Sequence, residues 1–350
     1  MNLASAAGNA LLVVVSVAAT LTCSEGYLRF VAPDLAAPPV DWAMLSDFYA
    51  ENADGVFTWP PKSHIRYVRM HGDRVEYDVQ FASNDLGLVD DRDYLGAPRV
   101  PRQIALVGDS FTAGYHGGTP WVAALNERFD SREVRLYNLG IGGAGFQQFD
   151  ALLESVSRHV AFSDVVIVPI SDDLQRPRWR LDVAEDVARF CLLTWPDWLC
   201  ELRRPYFYRI DLDSEPGIPA RRARGERRLA LTSLLVYAAR AAERSVDERA
   251  KRIADNRRSI QSIVDRYGAD RVSVVHLPSR GEVERDAYDS LGDELRSGIE
   301  ALGVQYVPAL HVCAWGPAMF FRHDNHPNAA GYARVAECVG AHLRQRFTPP

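Results

Sequence analysis

Three side chains have the types and spacing for acyl-transfer chemistry. The tripeptide Gly108–Ser110 directly follows the apolar run Gln103–Val107, and Asp324 and His326 lie two residues apart near the other end of the chain. An imidazole beside a serine hydroxyl removes its proton, and a neighbouring carboxylate fixes the tautomer and stabilises the imidazolium that forms. We therefore predict Ser110 as nucleophile, His326 as general base and Asp324 as the group that orients it.

The Asp324–His326 pair comes just before the last predicted helix. On an extended backbone, side chains two residues apart point the same way, so the carboxylate and the imidazole are expected to be adjacent. Pro327 turns the chain, and Asn328 is expected to cap the helix that begins at Ala329. A purely structural interpretation stays open, in which the pair only belongs to the loop that caps this helix.

A glycine-rich loop, Asn138–Gly145, follows the second predicted strand. Acyl transfer places negative charge on the carbonyl oxygen, and backbone N–H groups stabilise it where glycine lets the chain approach closely. Because glycine also serves tight turns between strands and helices, the loop by itself identifies no site.

Short apolar runs alternate with helical patterns from residue 102 onward. The predicted strands are Gln103–Val107, Val134–Tyr137, Val165–Val168, Val272–Val275 and Val304–Val307, and the predicted helices lie around 119–129, 146–159, 246–267, 283–302 and 328–346. This alternation predicts an α/β fold with a parallel sheet covered on both faces. In such a sheet the ligand crevice lies at the carboxyl ends of the strands, where Ser110 and the glycine-rich loop are expected.

Residues 25–100 are predicted to form a lead-in segment before the main domain at 101–350. The part Val31–Pro60 is rich in proline, alanine and aromatic residues, which suits a linker or irregular chain. Loose alternation over Ile65–Phe81 predicts a hairpin that turns at Gly72–Asp73.

The stretch at about 175–245 is long for one crossover and is interpreted as an insertion beside the crevice, with a lid as one possible role. Its arginines suit either a solvated surface or contact with an anionic polymer or lipid headgroups. These arginines are Arg221, Arg222, Arg224, Arg227 and Arg228.

The composition is that of a globular protein: 350 residues, 47% hydrophobic and 25% charged, with a formal charge of −6. An acidic chain gives no reason to expect a nucleic-acid partner.

Met1–Ser24 carries no charge and is long enough to span a bilayer, which needs roughly 20 residues. We predict an uncleaved membrane anchor at 1–24; a signal peptide cut near Val17–Ala19 and a buried core helix are the alternatives. No Lys or Arg precedes Arg29, so orientation is weakly determined.

Four cysteines follow the N-terminal segment, and the simplest disulfide pairing joins Cys191 to Cys200 and Cys313 to Cys338. Four separate buried thiols are the alternative. No Cys or His spacing resembles a structural zinc site, and we expect neither a metal nor a cofactor.

In these motifs the chain resembles the SGNH or GDSL esterases, in particular the branch in which GDSF replaces GDSL. The resemblance covers roughly residues 80 to 346 and includes Asn84–Leu88. It implies a flavodoxin-like three-layer α/β/α sandwich with a central parallel sheet. It also implies Ser110 as nucleophile, Asp324 and His326 as its partners, and the N–H groups of Ser110 and Gly143 as oxyanion donors.

One block departs from the family pattern. After the third strand the family has an Asn that donates to the oxyanion, and Asp172 takes that place here, within Ser171–Leu174. A carboxylate without a proton donates nothing, and losing one such donor typically costs about 100- to 1,000-fold in turnover. Three outcomes are open: burial or Asp173 keeps Asp172 protonated, the Ser171 hydroxyl donates instead, or the site is weakened and the protein binds rather than reacts.

Other polar and aromatic residues are given lesser roles. His116 and His276 are assigned to structure or substrate contact, because neither has a paired carboxylate at a telling spacing. Trp195, Trp198 and Trp315 could stack against a carbohydrate, although packing is the commoner role of such residues.

From the site and the resemblance together we expect a serine esterase of the bacterial cell envelope, anchored in the membrane with its catalytic domain periplasmic or extracellular. Its substrate is expected to be an acylated small molecule or polysaccharide carrying O-acyl, in particular O-acetyl, groups. Two alternatives remain: an O-acetyltransferase acting on a cell-surface glycan, and a catalytically weakened glycan-binding protein of the same fold. The oligomeric state is not determined by the sequence.

Overall fold

The computed structural model describes residues 3–31, 40–44, 50–52, 54–71, 74–118, 120–176, 207–209 and 246–347. The strands are β1 (Val40–Met44), β2 (Ala50–Glu51), β3 (Phe57–Thr58), β4 (His64–His71), β5 (Arg74–Ala82), β6 (Arg102–Gly108), β7 (Val134–Gly140), β8 (Asp164–Val168), β9 (Phe207–Arg209), β10 (Val272–His276) and β11 (Gln305–Pro308). The α-helices are α1 (Leu3–Phe30), α2 (Ser110–Ala113), α3 (Trp121–Asn126), α4 (Phe146–Ser157), α5 (Val246–Tyr267), α6 (Arg280–Arg285), α7 (Ser290–Ala301), α8 (Ala309–Val312) and α9 (Ala329–Phe347). Short 3-10 turns lie at Tyr115–Gly117, Ser171–Gln175 and Pro317–Met319.

The central sheet has the strand order β11-β10-β8-β6-β7, with neighbours parallel throughout. Alternate residues of β6 enter two different cores: Ala105 and Val107 pack with α4, α5 and α7, whereas Ile104 and Leu106 pack with α3 and α9. Strands buried on both faces explain why the apolar runs are continuous rather than alternating. The predicted α/β fold with a central parallel sheet is confirmed.

One predicted helix is wrong in its extent. The stretch 283–302 forms two helices, α6 and α7, rather than one. Asp286 ends the first with a left-handed φ of 52°, and the Asp289 carboxylate caps the second by accepting from the N–H groups of Leu291 and Gly292. Capping side chains of this kind favour a new helix start over continuation.

The lead-in segment supplies three strands of a second sheet of order β5-β4-β1-β9, in which β9 comes from the insertion. The predicted hairpin is confirmed as β4 and β5, and its turn at 72–73 lies outside the described residues. The interpretation of Val31–Pro60 as linker or irregular chain is wrong in part, since β1 pairs with β4 and Val56 and Trp59 are buried in the main core. Large apolar side chains this close to a domain are removed from water by packing onto it.

Helix α1 leaves several apolar side chains exposed, with Leu12 67% and Val14 64% exposed. The alternative of a buried core helix is therefore wrong for these side chains. Within the described ranges, no helix is both long and apolar enough to cross a membrane. The membrane anchor stays a prediction.

A disulfide joins Cys313 to Cys338, with their Cα atoms 6.1 Å apart, so this predicted pair is confirmed. The other pair, Cys191 and Cys200, lies outside the described residues, as do the five arginines of the insertion and two of the three tryptophans, Trp195 and Trp198. Of the insertion at 175–245, the described part includes β9, which pairs in parallel with β1.

Candidate active site

Ser110 is the first residue of α2, and only Asp109 separates it from the end of β6. The Asp109 carboxylate caps the helix by accepting from the Phe111 N–H at 2.8 Å. Gly108 has no room for a side chain, because a Cβ there would lie 2.1 Å from Thr112 Oγ1. The strand therefore turns tightly into a one-turn helix and holds the serine hydroxyl at the carboxyl end of the sheet.

The structure brings together the three residues predicted to act on an acyl group. Ser110 Oγ lies 2.7 Å from His326 Nε2, and His326 Nδ1 lies 2.7 Å from Asp324 Oδ1. The expected extended backbone is wrong: the chain bends at 322–326, and Asp324 Oδ1 also accepts from the His326 N–H at 3.2 Å. This local carboxylate-to-backbone bond keeps the two side chains together through a turn.

The helix after the pair begins as expected. Asn328 Oδ1 accepts from the N–H groups of Ala330 and Gly331 at 3.0 and 3.2 Å, so its role as N-cap is confirmed. The amide Nδ2 of Asn328 also donates to the Ala318 carbonyl at 2.8 Å.

Asp324 is held by residues of the β4–β5 hairpin, which sequence reasoning did not include in the site. Arg69 forms an ion pair with Asp324 Oδ2, and the Tyr77 hydroxyl donates to the same oxygen at 3.2 Å. Glu76 Oε1 accepts from the His323 N–H at 2.6 Å. One signal was present in the sequence: Arg69 occupies an inward position of an alternating strand, where a charge needs a buried partner.

His116 was assigned only a structural or substrate-contact role, yet it contacts the base directly. Its ring stacks on that of His326 with centroids 3.7 Å apart and planes 19° apart. Burial, and then the charges of His326 and Arg69, hold the pKa of His116 well below its usual range. A neutral ring therefore covers one face of the His326 imidazole.

A buried ion network beneath Ser110 was also missed. Arg176 Nη1 lies 2.8 Å from Asp109 Oδ2 and 2.7 Å from Asp173 Oδ1, and it donates to the Ala144 carbonyl at 3.2 Å. Burial and the nearby Asp109 charge raise the pKa of Asp173 well above its usual range. Arg176 thus ties together the serine turn, the glycine-rich loop and the turn after β8.

The role of the Ser110 and Gly143 N–H groups as oxyanion donors stays a prediction. Within the described part of the chain, the N–H groups of Ser110 and Gly143 donate no hydrogen bond, so both are available to a ligand. Gly143 has a φ of 72°, a conformation that favours glycine, and Gly140 packs so closely that a Cβ would lie 2.1 Å from the Ala113 N atom.

The surroundings of Asp172 and Ser171 bear on the outcomes considered for the missing oxyanion donor. The Asp172 side chain is exposed and accepts a hydrogen bond from Gln175 Nε2 at 3.0 Å. The Ser171 hydroxyl is buried, donates to Glu282 Oε1 at 2.5 Å and lies 3.0 Å from His276 Nε2. Ser171 is therefore engaged away from Ser110, and a weakened oxyanion site stays a prediction.

His276 and Trp315 both make contacts within the protein. His276 is buried beside β11, with Nδ1 2.6 Å from the Tyr306 hydroxyl, and burial lowers its pKa to about 3. Trp315 Nε1 donates to the Ala309 carbonyl at 2.9 Å, and its ring lies 6.0 Å from that of Phe320.

The electrostatics of His326 predict activity that persists into acid. Burial lowers the pKa of the His326 imidazole, Asp109 raises it and Arg69 lowers it again, with a net value of about 3. A general base must be neutral, and it loses activity as the pH falls through its pKa. We expect kcat/KM for p-nitrophenyl acetate to stay within about 3-fold between roughly pH 5 and 7, where an ordinary imidazole would lose more than about 10-fold.

Unfolding must be monitored in the same samples. Buried imidazoles with lowered pKa values bind fewer protons than the unfolded chain, so the free energy of unfolding falls as the pH falls below about 6.5. A decline of kcat/KM centred near pH 6.5, in protein that is folded by circular dichroism, would show that His326 titrates as an ordinary imidazole.

Asp172→Asn is expected to raise kcat for p-nitrophenyl acetate by about 10- to 100-fold, because an amide donates to an oxyanion and a carboxylate does not. Asp172→Ala is the matched control: it removes the carboxylate without adding a donor and should give a smaller gain. Equal kcat values for the asparagine and alanine variants would show that residue 172 does not reach the oxyanion.

A model of the family described as GDSL-like lipase/acylhydrolase matches residues 106–334. None of the curated proteins compared with the sequence matches it. Similar solved structures include the lipase/acylhydrolase from Enterococcus faecalis, at 16% identity and a TM-score of 0.39 over 71% of this chain and 98% of that one. TesA is similar at 17% identity and a TM-score of 0.40, over 70% of this chain and 100% of that one. The psychrotrophic esterase EstA from Pseudoalteromonas sp. is similar at 10% identity and a TM-score of 0.39, over 71% and 100%.

Proposed function

The chain belongs to the GDSL-like lipase/acylhydrolase family and is a carboxylic ester hydrolase, and we propose that it removes O-acetyl groups by a Ser-His-Asp mechanism at the bacterial cell envelope. One observation carries the mechanism: an unbroken set of short contacts from Ser110 Oγ through His326 to Asp324. A hydroxyl, an imidazole and a carboxylate in this order are what nucleophilic acyl transfer requires.

In the proposed reaction, His326 Nε2 accepts the Ser110 proton as Oγ bonds to the acyl carbon. The His326 Nδ1–H donates to Asp324 Oδ1, which stabilises the imidazolium. The carbonyl oxygen becomes an oxyanion and accepts from the N–H groups of Ser110 and Gly143. His326 then gives its proton to the leaving alcohol, and the acyl group remains on Ser110.

Water completes the cycle by the same route. His326 takes a proton from the water as its oxygen bonds to the acyl carbon, and the tetrahedral intermediate collapses with return of the proton to Ser110 Oγ. The products are the free acid and the regenerated serine. Asp172 adds no donor to either intermediate, so we expect slow turnover compared with an enzyme that has a third donor.

Burial of the nucleophile supports a small acyl group. Ser110 is 4% exposed, and the Phe111 ring lies 5.4 Å from the His326 ring. A long acyl chain needs an extended apolar surface beside the serine. We therefore propose acetyl esters, carried by a polysaccharide or a small alcohol, as the substrates.

The test compares p-nitrophenyl acetate with p-nitrophenyl octanoate, each with and without a deacetylated polysaccharide as acceptor. A higher kcat/KM for the acetate, with free acetate as product in both conditions, supports the proposal. A preference for octanoate would contradict the acetyl part. Release that requires the polysaccharide, with acetate found on the polysaccharide, would contradict hydrolysis.

A second candidate, a glycan-binding protein with a weakened site, is favoured by one observation. Asp172 is a carboxylate at the position where the resemblance implies an asparagine whose side-chain N–H donates to the oxyanion. It predicts saturable polysaccharide binding that is the same in Ser110→Ala as in the parent, without ester turnover in either. The two candidates differ in whether the parent protein forms an acyl-enzyme.

The envelope location is proposed on two features. Apolar side chains of α1, such as Leu12 and Val14, are exposed and would be stabilised by an apolar environment. The Cys313–Cys338 disulfide is typical of oxidising compartments. Fractionation of bacteria that express the full chain should recover it with the membranes; recovery in the cytosolic fraction with both thiols reduced would contradict the location.

A further inference from the structure

The β4–β5 hairpin contacts the loop that carries Asp324, although it precedes the family-matched residues 106–334. It binds both the carbonyl oxygen and the N–H group of His323. Arg69 Nη2 donates to the His323 carbonyl at 2.9 Å, and Glu76 Oε1 accepts from the His323 N–H at 2.6 Å. The residue before the orienting carboxylate is therefore fixed at both of its peptide groups.

The hairpin also binds the Asp324 side chain. Asp324 Oδ2 receives the Arg69 ion pair and the Tyr77 hydroxyl at 3.2 Å, while Oδ1 faces His326 at 2.7 Å. The two oxygens thus have separate partners, and the carboxylate cannot rotate without losing one set. Since the chain at 322–326 is a series of bends, these contacts act together with the bond from the His326 N–H to determine where Oδ1 lies.

The hairpin also packs against the His326 imidazole indirectly, through the ring of His116. The rings of Tyr67 and Tyr77 meet His116 edge-on, with centroids 5.7 and 5.4 Å away, and His116 stacks on His326 at 3.7 Å. Close-packed rings leave the imidazole little freedom to tilt. The hairpin therefore contacts Asp324 directly and supports His326 through His116.

We propose that the β4–β5 hairpin is part of the active site, with Arg69 and Tyr77 as positioning residues that fix Asp324 for its hydrogen bond to His326. This inference rests on the function proposed above and adds to it a requirement for residues outside the family-matched region. A displacement of about 1 Å in a catalytic group can cost about 100-fold in rate, so contacts of this kind can control kcat without touching the substrate.

Arginine suits this position better than lysine. Its side chain is 9% exposed and lies between two carboxylates, with Arg69 Nε 3.4 Å from Glu76 Oε2. A planar guanidinium reaches two carboxylates and a carbonyl at once, whereas an ammonium is a point charge on a flexible stem. A lysine would keep the charge and lose part of the geometry.

The charge of Arg69 also gives a readout that a purely structural role would not move. Arg69 is one of the groups that lower the pKa of His326. The other charged or titratable groups facing His326 are Asp324 on its own loop, His116 beside α2, Asp109 at the start of α2, Glu76 on the hairpin and Arg176 after the 3-10 turn. Removing the Arg69 charge raises the pKa of His326, so the acid limb of kcat/KM moves to higher pH.

The test uses the full chain, p-nitrophenyl acetate and a pH series, with folding checked by circular dichroism. Arg69→Met is expected to lower kcat by about 100-fold, leave KM within about 2-fold and move the acid limb to higher pH. Arg69→Lys should lower kcat by about 10-fold and leave the acid limb of kcat/KM at the same pH as in the parent. Arg66→Met is the matched control, since Arg66 lies on the same strand and pairs with Asp78 at 2.7 Å instead; it should retain parental kcat.

Tyr77→Phe keeps the inference testable if Arg69→Met does not fold, because it removes only a hydroxyl and keeps the ring against His116. It should lower kcat by about 10-fold with KM unchanged. Folded Tyr77→Phe or Arg69→Met protein with parental kcat and a parental acid limb would overturn the inference. A parent protein that neither hydrolyses the ester nor reacts with a fluorophosphonate would instead contradict the proposed function.

Discussion

Replacing Ser110 with alanine is expected to lower kcat for p-nitrophenyl acetate by about 10⁴- to 10⁶-fold. Ser110 Oγ lies 2.7 Å from His326 Nε2, and the loss of this atom removes the group that bonds to the acyl carbon. KM should change little, since the oxyanion donors are backbone groups. The measurement is steady-state hydrolysis, with pre-steady-state kinetics at excess substrate to show that any burst of p-nitrophenol formed by the parent is lost in the variant.

The matched control is Ser297→Ala. Ser297 lies on α7, where its hydroxyl donates to the Asp293 carbonyl at 2.8 Å, and its loss should leave kcat at the parental value. A Ser110→Ala protein that keeps more than about a tenth of the parental kcat would show that another group attacks the ester.

Asp324→Asn is expected to lower kcat by about 10⁴-fold, because an amide facing Nδ1 favours the wrong tautomer of His326. In the structure Asp324 Oδ1 lies 2.7 Å from Nδ1, and the tautomer with a proton on Nδ1 leaves Nε2 free to accept from Ser110. The variant should fold, since asparagine has the same shape, and it should react with a fluorophosphonate much more slowly than the parent.

Asp265→Asn provides the comparison, because Asp265 lies on α5 and accepts from Gln261 at 2.7 Å on the protein surface. It should behave as the parent. If folded Asp324→Asn protein loses less than about 10-fold in kcat, the carboxylate does not control the tautomer and the role assigned to Asp324 is wrong.

Residue patterns were enough to predict the central sheet and the position of the site. Continuous apolar runs such as Val165–Val168 specify strands buried on both faces, and a serine after such a strand must lie at the sheet's carboxyl edge. The spacing of Asp324 and His326 predicted their adjacency, although a turn rather than an extended chain produces it. The local sequence pattern was therefore enough to predict contacts between residues that are close together in the chain.

Contacts between distant segments were not predictable in the same way. Arg69 and Asp324 are far apart in the sequence, and nothing in an alternating hairpin says which loop it will pack against. The break between α6 and α7 was missed because its signals are single capping residues, Asp286 and Asp289, inside a long helical pattern. The surroundings of the Asp172 side chain also could be seen only in the structure, since the sequence does not show whether a carboxylate is exposed.

The most direct test of the central claim is to treat the full chain with a fluorophosphonate probe and locate the adduct by mass spectrometry. We predict a single adduct on Ser110 in the parent, and none in Ser110→Ala, because only an activated serine hydroxyl displaces fluoride from the probe. An adduct on a different serine, or no adduct in folded parent protein between about pH 5 and 9, would contradict a nucleophilic Ser110 activated by His326.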